Sequence, residues 1–397
     1  MTSPLILASK IAKNTIYQVM GKALGTIIGL MAIGMMTRYL GQAGFGYYTT
    51  IIAFMQFTGV LIDFGLQMVS GQMISQPDAD ENKIFNNILT LRLVSAVVFL
   101  GSAVAISWLL PYPMIIKQGI TIASLSFLFS AIISVIISIF QKKIDMAKVA
   151  IAEVWNRIVM LLGVWLAVSW SLSLLYIVMA VAIGGLVNLL ILIYSAKGYV
   201  KIRLAFDRQI WRQIFIQSWP LAITVALSLI YFRADTIVMS LSRPQSEVGL
   251  YGAGYKVVEI LVQFPYLFLG LILPILTKFF VVNKKIFDLT VQKAFDFLVI
   301  IALPMVFSVL VLGEKIMVFI AGDEFIISGI ILKILIFAVA IIYLGALFTY
   351  TIVACGQQKR LIKFYLFTAV LAIILYIILI PRYSYWAAAP LTIMTEL

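Results

Sequence analysis

The chain has 397 residues, 63% of them hydrophobic and 11% charged, with a net charge of +13. A soluble globular chain is about one-quarter charged, so this composition excludes an ordinary water-soluble fold. There is no histidine and a single cysteine, which excludes an intrachain disulfide and removes the commonest general base, proton shuttle and metal ligand.

Apolar runs of about 20 residues recur from end to end, the length a membrane helix needs. The apolar–polar alternation of a membrane β-barrel is absent. The fold class expected is an all-α polytopic membrane protein. Hydropathy places spans at 13–37, 45–74, 84–110, 114–140, 149–170, 172–194, 213–241, 248–280, 290–312, 329–354 and 361–380. A twelfth begins near Tyr385 and stops at Leu397. Its thirteen residues rise about 20 Å as helix, short for a crossing, so the last helix reads as partial.

Eighteen of the 29 Lys and Arg residues fall in connections on one side, the last being Lys359, Arg360 and Lys363; six fall on the other and five inside spans. This bias puts the N-terminus in the cytoplasm and accounts for the positive charge without nucleic acid. The longest polar connection, SAKGYVKIRLAFDRQIWRQ (195–213), is basic and divides the chain near its middle. The expected organisation is a six-helix lobe over 1–196, a cytoplasmic linker over 197–212, and a second lobe over 213–397.

The halves share a pattern. GFGYYTTIIAFMQF (44–57) opens the second span and VGLYGAGYKVVEILVQF (248–264) the eighth. An offset of 203 residues superposes Gly46 on Gly249 and Tyr48 on Tyr251. Six spans separate the two segments, and an even separation makes a parallel repeat, in which the substrate path runs between the halves.

Ionisable residues inside membrane spans are expensive and mark functional sites by default. Arg157 has Glu153 four residues before it and Lys256 has Glu259 three residues after it, so each has a local ion pair within reach. Lys22, Arg92 and Arg233 have no acid at three or four residues. They need a partner on another helix, a wet cavity or an anionic ligand; snorkelling to the outer surface is the alternative for Arg233. Arg233 and Asp235 in YFRADTIVMS (231–240) are two residues apart, so they do not share a helix face. A series of interior cations suits an anion, and Arg suits phosphate through its planar fork. Asp63, Asp235 and Glu259 either neutralise these bases or bind a coupling proton or sodium ion.

KNTIYQVMGKALGTIIGL (13–30), RYLGQAGFGYYTTIIAFMQFTGVLIDFGL (38–66), YFRADTIVMS (231–240), VGLYGAGYKVVE (248–259), MVFIAGDEF (317–325) and YWAAAPLTIMTEL (385–397) follow one another in an order that resembles bacterial polysaccharide flippases of the O-antigen (Wzx) type. These belong to the multidrug/oligosaccharidyl-lipid/polysaccharide exporter superfamily. The resemblance covers essentially the whole chain. It implies two six-helix lobes around a central cavity and alternating access. It also implies transfer of an undecaprenyl-pyrophosphate-linked oligosaccharide from the inner to the outer leaflet. On that basis Lys22, Arg233 and Lys256 are expected to hold the pyrophosphate, and the interior cations Arg92 and Arg157 are expected to join them. No cofactor is expected beyond a coupling H+ or Na+. The partners expected are the lipid-linked glycan, membrane lipids, and a polysaccharide polymerase with its chain-length machinery. Two other classes stay open. A multidrug cation exporter of the same superfamily would want an acidic cavity. A glycan polymerase or ligase would want a long outer loop bearing catalytic residues; the one sizeable loop here is cytoplasmic.

Overall fold

In the computed structural model, residues 4–63, 66–74, 80–357 and 361–397 are described. Lys359 and Arg360, assigned above to the cytoplasmic side, lie outside them. The elements run α1 (Pro4–Asp63), α2 (Leu66–Ile74), α3 (Glu81–Leu109), α4 (Met114–Lys143), α5 (Met146–Ser169), α6 (Leu174–Ala196), α7 (Arg208–Ser242), α8 (Gln245–Val282), α9 (Lys284–Ala321), α10 (Ile326–Ala354), α11 (Leu361–Tyr383) and α12 (Tyr385–Glu396), with one 3₁₀ turn at Asp323–Phe325. The protein is a multi-pass, all-helical membrane protein. Nine helices among the described residues are long and apolar enough to cross a membrane.

The expected spans and the observed helices agree along most of the chain. One difference is that no loop separates the first two spans: α1 is two helices meeting at a kink at Gly41, whose φ of 62° and ψ of −174° break the helical run between them. That φ is comfortable for glycine and costly for a side chain. The other is length: α9 starts at Lys284 and ends at Ala321, beyond the apolar limits 290–312. Hydropathy stops at charges, whereas the helix carries Lys284, Lys285 and Glu314 beyond those limits as polar ends.

Two compact units emerge. One holds Met1–Tyr39 and Thr50–Ala226; the other holds Leu40–Thr49 and Leu227–Leu397. The expected division lay in 197–212; the observed one falls within α7 and moves residues 40–49 to the second unit. That transfer has a packing cause. A Cβ on Gly46 would overlap the Gln245 carbonyl, and one on Gly249 would overlap the Gln42 carbonyl. Phe45 meets Phe325 edge to face at 6.0 Å between centroids, and Gln42 Nε2 donates to the Glu324 carbonyl at 2.7 Å.

In the first unit the basic connection is a built structure. The backbone N–H groups of Lys201, Arg203 and Ala205 donate to the side chains of Asn82, Asn86 and Thr90 on α3, at 2.8–2.9 Å. Asp207 N donates to Asn87 Oδ1 at 2.6 Å, and Asn86 Nδ2 returns a bond to the Lys201 carbonyl at 3.0 Å. Alternate residues of an extended chain are thus held by one side of α3. The ladder ends at Asp207, whose carboxylate takes the N–H groups of Gln209 and Ile210 and so caps α7. Lys83 binds the same carboxylate at 2.7 Å. The lysine and the capping N–H groups hold the Asp207 carboxyl below the usual carboxylate range.

Candidate substrate and coupling sites

Arg233 and Asp235 on α7 both find partners on α8. The Arg233 guanidinium pairs with Glu259 and lies over the Tyr255 ring, 5.0 Å from its centroid. Glu259 is doubly engaged: its other carboxylate oxygen binds Lys256 Nζ at 2.8 Å. Three residues named from the sequence therefore meet in one cluster of two cations and one acid. The local Lys256–Glu259 pair forms as the spacing allows, and Arg233 obtains the acid of a neighbouring helix. Arg233 is buried, which removes outward snorkelling as its account.

Asp235 is 1% exposed. Its Oδ1 accepts from the N–H and hydroxyl of Thr236, and its Oδ2 accepts from the Tyr251 hydroxyl at 2.5 Å. Tyr251 is in turn 3.2 Å from the Thr392 hydroxyl on α12. All three hydrogen bonds to this carboxylate come from uncharged groups.

In the first unit Arg92 corrects an expectation. It is 4% exposed. Its Nε donates to the Ala131 carbonyl, Nη1 to the carbonyls of Ile62 and Asp63, and Nη2 to Asp63 Oδ1 and Ser134 Oγ. A guanidinium has five N–H donors, and all are taken. Arg92 pins the last carbonyls of α1 to α3 and α4 and has no donor left for a diphosphate. Asp63, proposed as a coupling acid, serves as its counterion at 2.6 Å.

Lys22 and Arg157 stand differently. Among the described residues Lys22 makes no hydrogen bond or ion pair through its ammonium, and Arg157 makes none with Glu153, so the expected local pair does not form. Arg157 Nε is buried without a hydrogen-bond partner. Its side chain runs along the glycines of α1: a Cβ on Gly25 would sit 3.6 Å from Arg157 Cγ, and one on Gly29 would sit 3.9 Å from Nη1. Glycine at positions 25 and 29 of α1 thus makes room for a cation.

Tyr255, Thr392 and Ser134 were not singled out from the sequence, and Tyr251 was marked there only as the partner of Tyr48 in the repeat. The i, i+4 pair of tyrosines in YGAGY was the available signal for two of them. No group of three or more potential metal ligands occurs among the described residues.

The family model for polysaccharide biosynthesis proteins matches residues 11–280. The chain belongs to that family. It is 28% identical over 275 residues to the capsular polysaccharide biosynthesis protein CapF of Staphylococcus aureus, covering 68% of this chain and 69% of that protein. Among solved structures, the lipid II flippase MurJ in an inward closed conformation has a TM-score of 0.79 at 14% identity, covering 96% of this chain and 85% of that one. An inward-facing MATE multidrug resistance transporter of the MOP superfamily has a TM-score of 0.76 at 12% identity, covering 96% and 95%. The fold of this family member is therefore that of the superfamily's flippases and transporters, as the sequence resemblance implied.

Proposed function

We propose that this polysaccharide biosynthesis protein moves a polyprenyl-diphosphate-linked oligosaccharide from the inner to the outer leaflet of the cytoplasmic membrane by alternating access, with its N-terminus in the cytoplasm. The observation carrying this reading is the balance of interior charge. Arg233 and Lys256 share one acid, Glu259, while Lys22 and Arg157 have none within ion-pairing reach among the described residues. A surplus of cations suits a diphosphate and disfavours a cationic drug. In the second unit Arg233 and Lys256 are assigned to the diphosphate; in the first unit Lys22 and Arg157 are the cations left to meet it, and Arg92 is not, because its donors are spent. The polymerase and chain-length machinery would receive the glycan on the outer side.

Energy can come from the membrane potential, since moving one negative charge outward across an inside-negative membrane gains about 2.3 kcal/mol per 100 mV. An ion gradient is the second source, with Asp235 the acid assigned to it.

The test is flipping in proteoliposomes, comparing a polyprenyl-diphosphate-linked sugar with a lipophilic cationic dye. The lipid-linked sugar should move, Arg233→Ala should stop it, and Arg233→Lys should retain part of it. Full activity in Arg233→Ala removes the role given to the cations. Movement of the dye alone gives the multidrug reading instead.

A further inference from the structure

The Arg233–Glu259–Lys256 cluster is arranged as a diphosphate site already holding an anion. Each oxygen of the Glu259 carboxylate binds a different cation: Arg233 on α7 for one, Lys256 on α8 at 2.8 Å for the other. Two non-bridging oxygens of the diphosphate, one from each phosphate, can take those same two positions, since Arg and Lys are both phosphate-binding side chains. The Tyr255 ring holds the guanidinium in place whichever anion it binds. We infer that Glu259 is a built-in competitor, an internal surrogate that occupies the headgroup site and must be displaced for the lipid diphosphate to bind. This rests on the diphosphate reading above and adds to it a residue that sets affinity and release.

Charge supplies the first reason. The cluster with Glu259 in place carries one net positive charge. A diphosphate joining a lipid to a sugar carries one ionised oxygen on each phosphate. Adding it to the occupied cluster leaves three negative charges against two positive ones in a partly buried site. With Glu259 withdrawn, two cations face two anionic oxygens. Accessibility supplies the second. The Glu259 and Lys256 side chains retain 21% and 18% of their exposure, against 10% for Arg233, so the acid can swing away while the arginine stays held. Placement supplies the third. The repeat offset puts Leu30, Ala53 and Gln56 where the second half has Arg233, Lys256 and Glu259. The charged cluster belongs to the second half alone and is not demanded by the repeated architecture.

A competitor of this kind lowers the apparent affinity by the fraction of time it is withdrawn. It also refills the site when the diphosphate leaves, which prevents the product from being held too tightly.

The experiment measures binding of farnesyl diphosphate to the detergent-solubilised full chain, alongside flipping of the lipid-linked sugar in proteoliposomes. Glu259→Gln keeps the size and removes the charge. It should tighten farnesyl diphosphate binding by about tenfold, as expected if Glu259 is withdrawn about one-tenth of the time. It should also slow turnover, and Arg233→Ala should abolish the gain. Should Glu259→Gln not fold, Glu259→Asp keeps the charge, shortens its reach to Arg233, and should tighten binding by a smaller factor. If the wild type binds and flips while neither variant binds more tightly, Glu259 is a structural counterion: the competitor inference is overturned and the proposed function stands. If neither wild type nor variants bind farnesyl diphosphate and no lipid-linked sugar moves, the proposed function falls and this inference with it.

Discussion

Gly46 and Gly249 pack against each other reciprocally. Each would drive an added Cβ into the backbone of the other's helix, at Gln245 for Gly46 and at Gln42 for Gly249. Gln42 and Gln245 are themselves related by the same 203-residue offset. A contact in which residue i meets j and the equivalent of i meets the equivalent of j is the signature of a twofold relation. The two glycine segments matched by the offset, GFGYY and VGLYGAGY, therefore pack on each other within the second unit.

That crossing predicts a selective intolerance. Overpacking typically costs about 1–3 kcal/mol, and here the clash is with backbone, which cannot rotate away. Gly249→Ala or Gly46→Ala should lower the thermal unfolding temperature of the purified protein by several degrees. Gly101→Ala, whose Cβ would meet nothing within 4 Å, should be neutral or stabilising by up to about 1 kcal/mol through helix propensity. Equal behaviour of the three variants in a melting assay would remove the close-packing account.

Arg92 should behave as a structural residue. Breaking a buried pair by removing one partner costs about 3–5 kcal/mol. The Asp63 side chain keeps 24% exposure, so the lower end applies. Arg92→Ala should lose thermal stability before it loses anything specific to substrate. The double variant Arg92→Ala/Asp63→Ala should be less destabilised than the sum of the single changes, because neither charge is then orphaned. Wild-type melting of Arg92→Ala together with loss of diphosphate binding would return Arg92 to the substrate site.

Much of this was legible in the sequence, for identifiable reasons. Membrane helices announce themselves because backbone groups in lipid must be satisfied within the segment, which forces long apolar runs. The repeat was legible because glycine is needed where backbones cross. The surplus of cations could be counted, and the local pair Lys256–Glu259 follows from helical spacing. What a one-dimensional reading lacks is the register of one helix on another. The partnership of Arg233 with Glu259 depends on how α7 lies on α8. Arg92 is satisfied mainly by carbonyls of Ile62, Asp63 and Ala131, which every residue carries and no pattern marks. The connection 197–207 read as an ordinary basic loop because hydropathy says nothing about Asn82, Asn86 and Thr90, spaced by four on α3 as a ladder of side chains facing it.

The ladder predicts its own dissolution. Asn86→Ala removes both the acceptor for Arg203 N–H and the donor to the Lys201 carbonyl. Amide hydrogen exchange over 199–207 should rise while that of the α3 interior stays unchanged. Acid should act on the same segment through Asp207. Its carboxyl is depressed in the folded protein, so the stability it contributes is present above the unfolded value, about 3.9, and is lost as pH falls through the lower folded value. Exchange corrected for intrinsic rates should therefore be flat near neutrality and rise only below that range. Lys83→Ala should shift the rise toward higher pH.

Asp235 carries the last prediction. Three acids were candidates for a coupling ion, and the structure separates them by their partners. Asp63 is matched by Arg92 and Glu259 by two cations. Asp235 accepts hydrogen bonds from two hydroxyls and a backbone N–H, none of them charged. A fully buried carboxylate so placed is the one whose charge an incoming cation would most relieve. Asp235→Asn should fold, because its amide oxygen still accepts from Thr236. Its amide N–H groups can donate to Tyr251, whose own proton can turn toward Thr392. In proteoliposomes with an imposed proton or sodium gradient, the wild type should flip faster than without one, and Asp235→Asn should flip at one rate in both conditions. Asp63→Asn should keep the gradient response and lose thermal stability. A gradient response that survives in Asp235→Asn and vanishes in a well-folded Asp63→Asn would transfer the coupling role to the first unit.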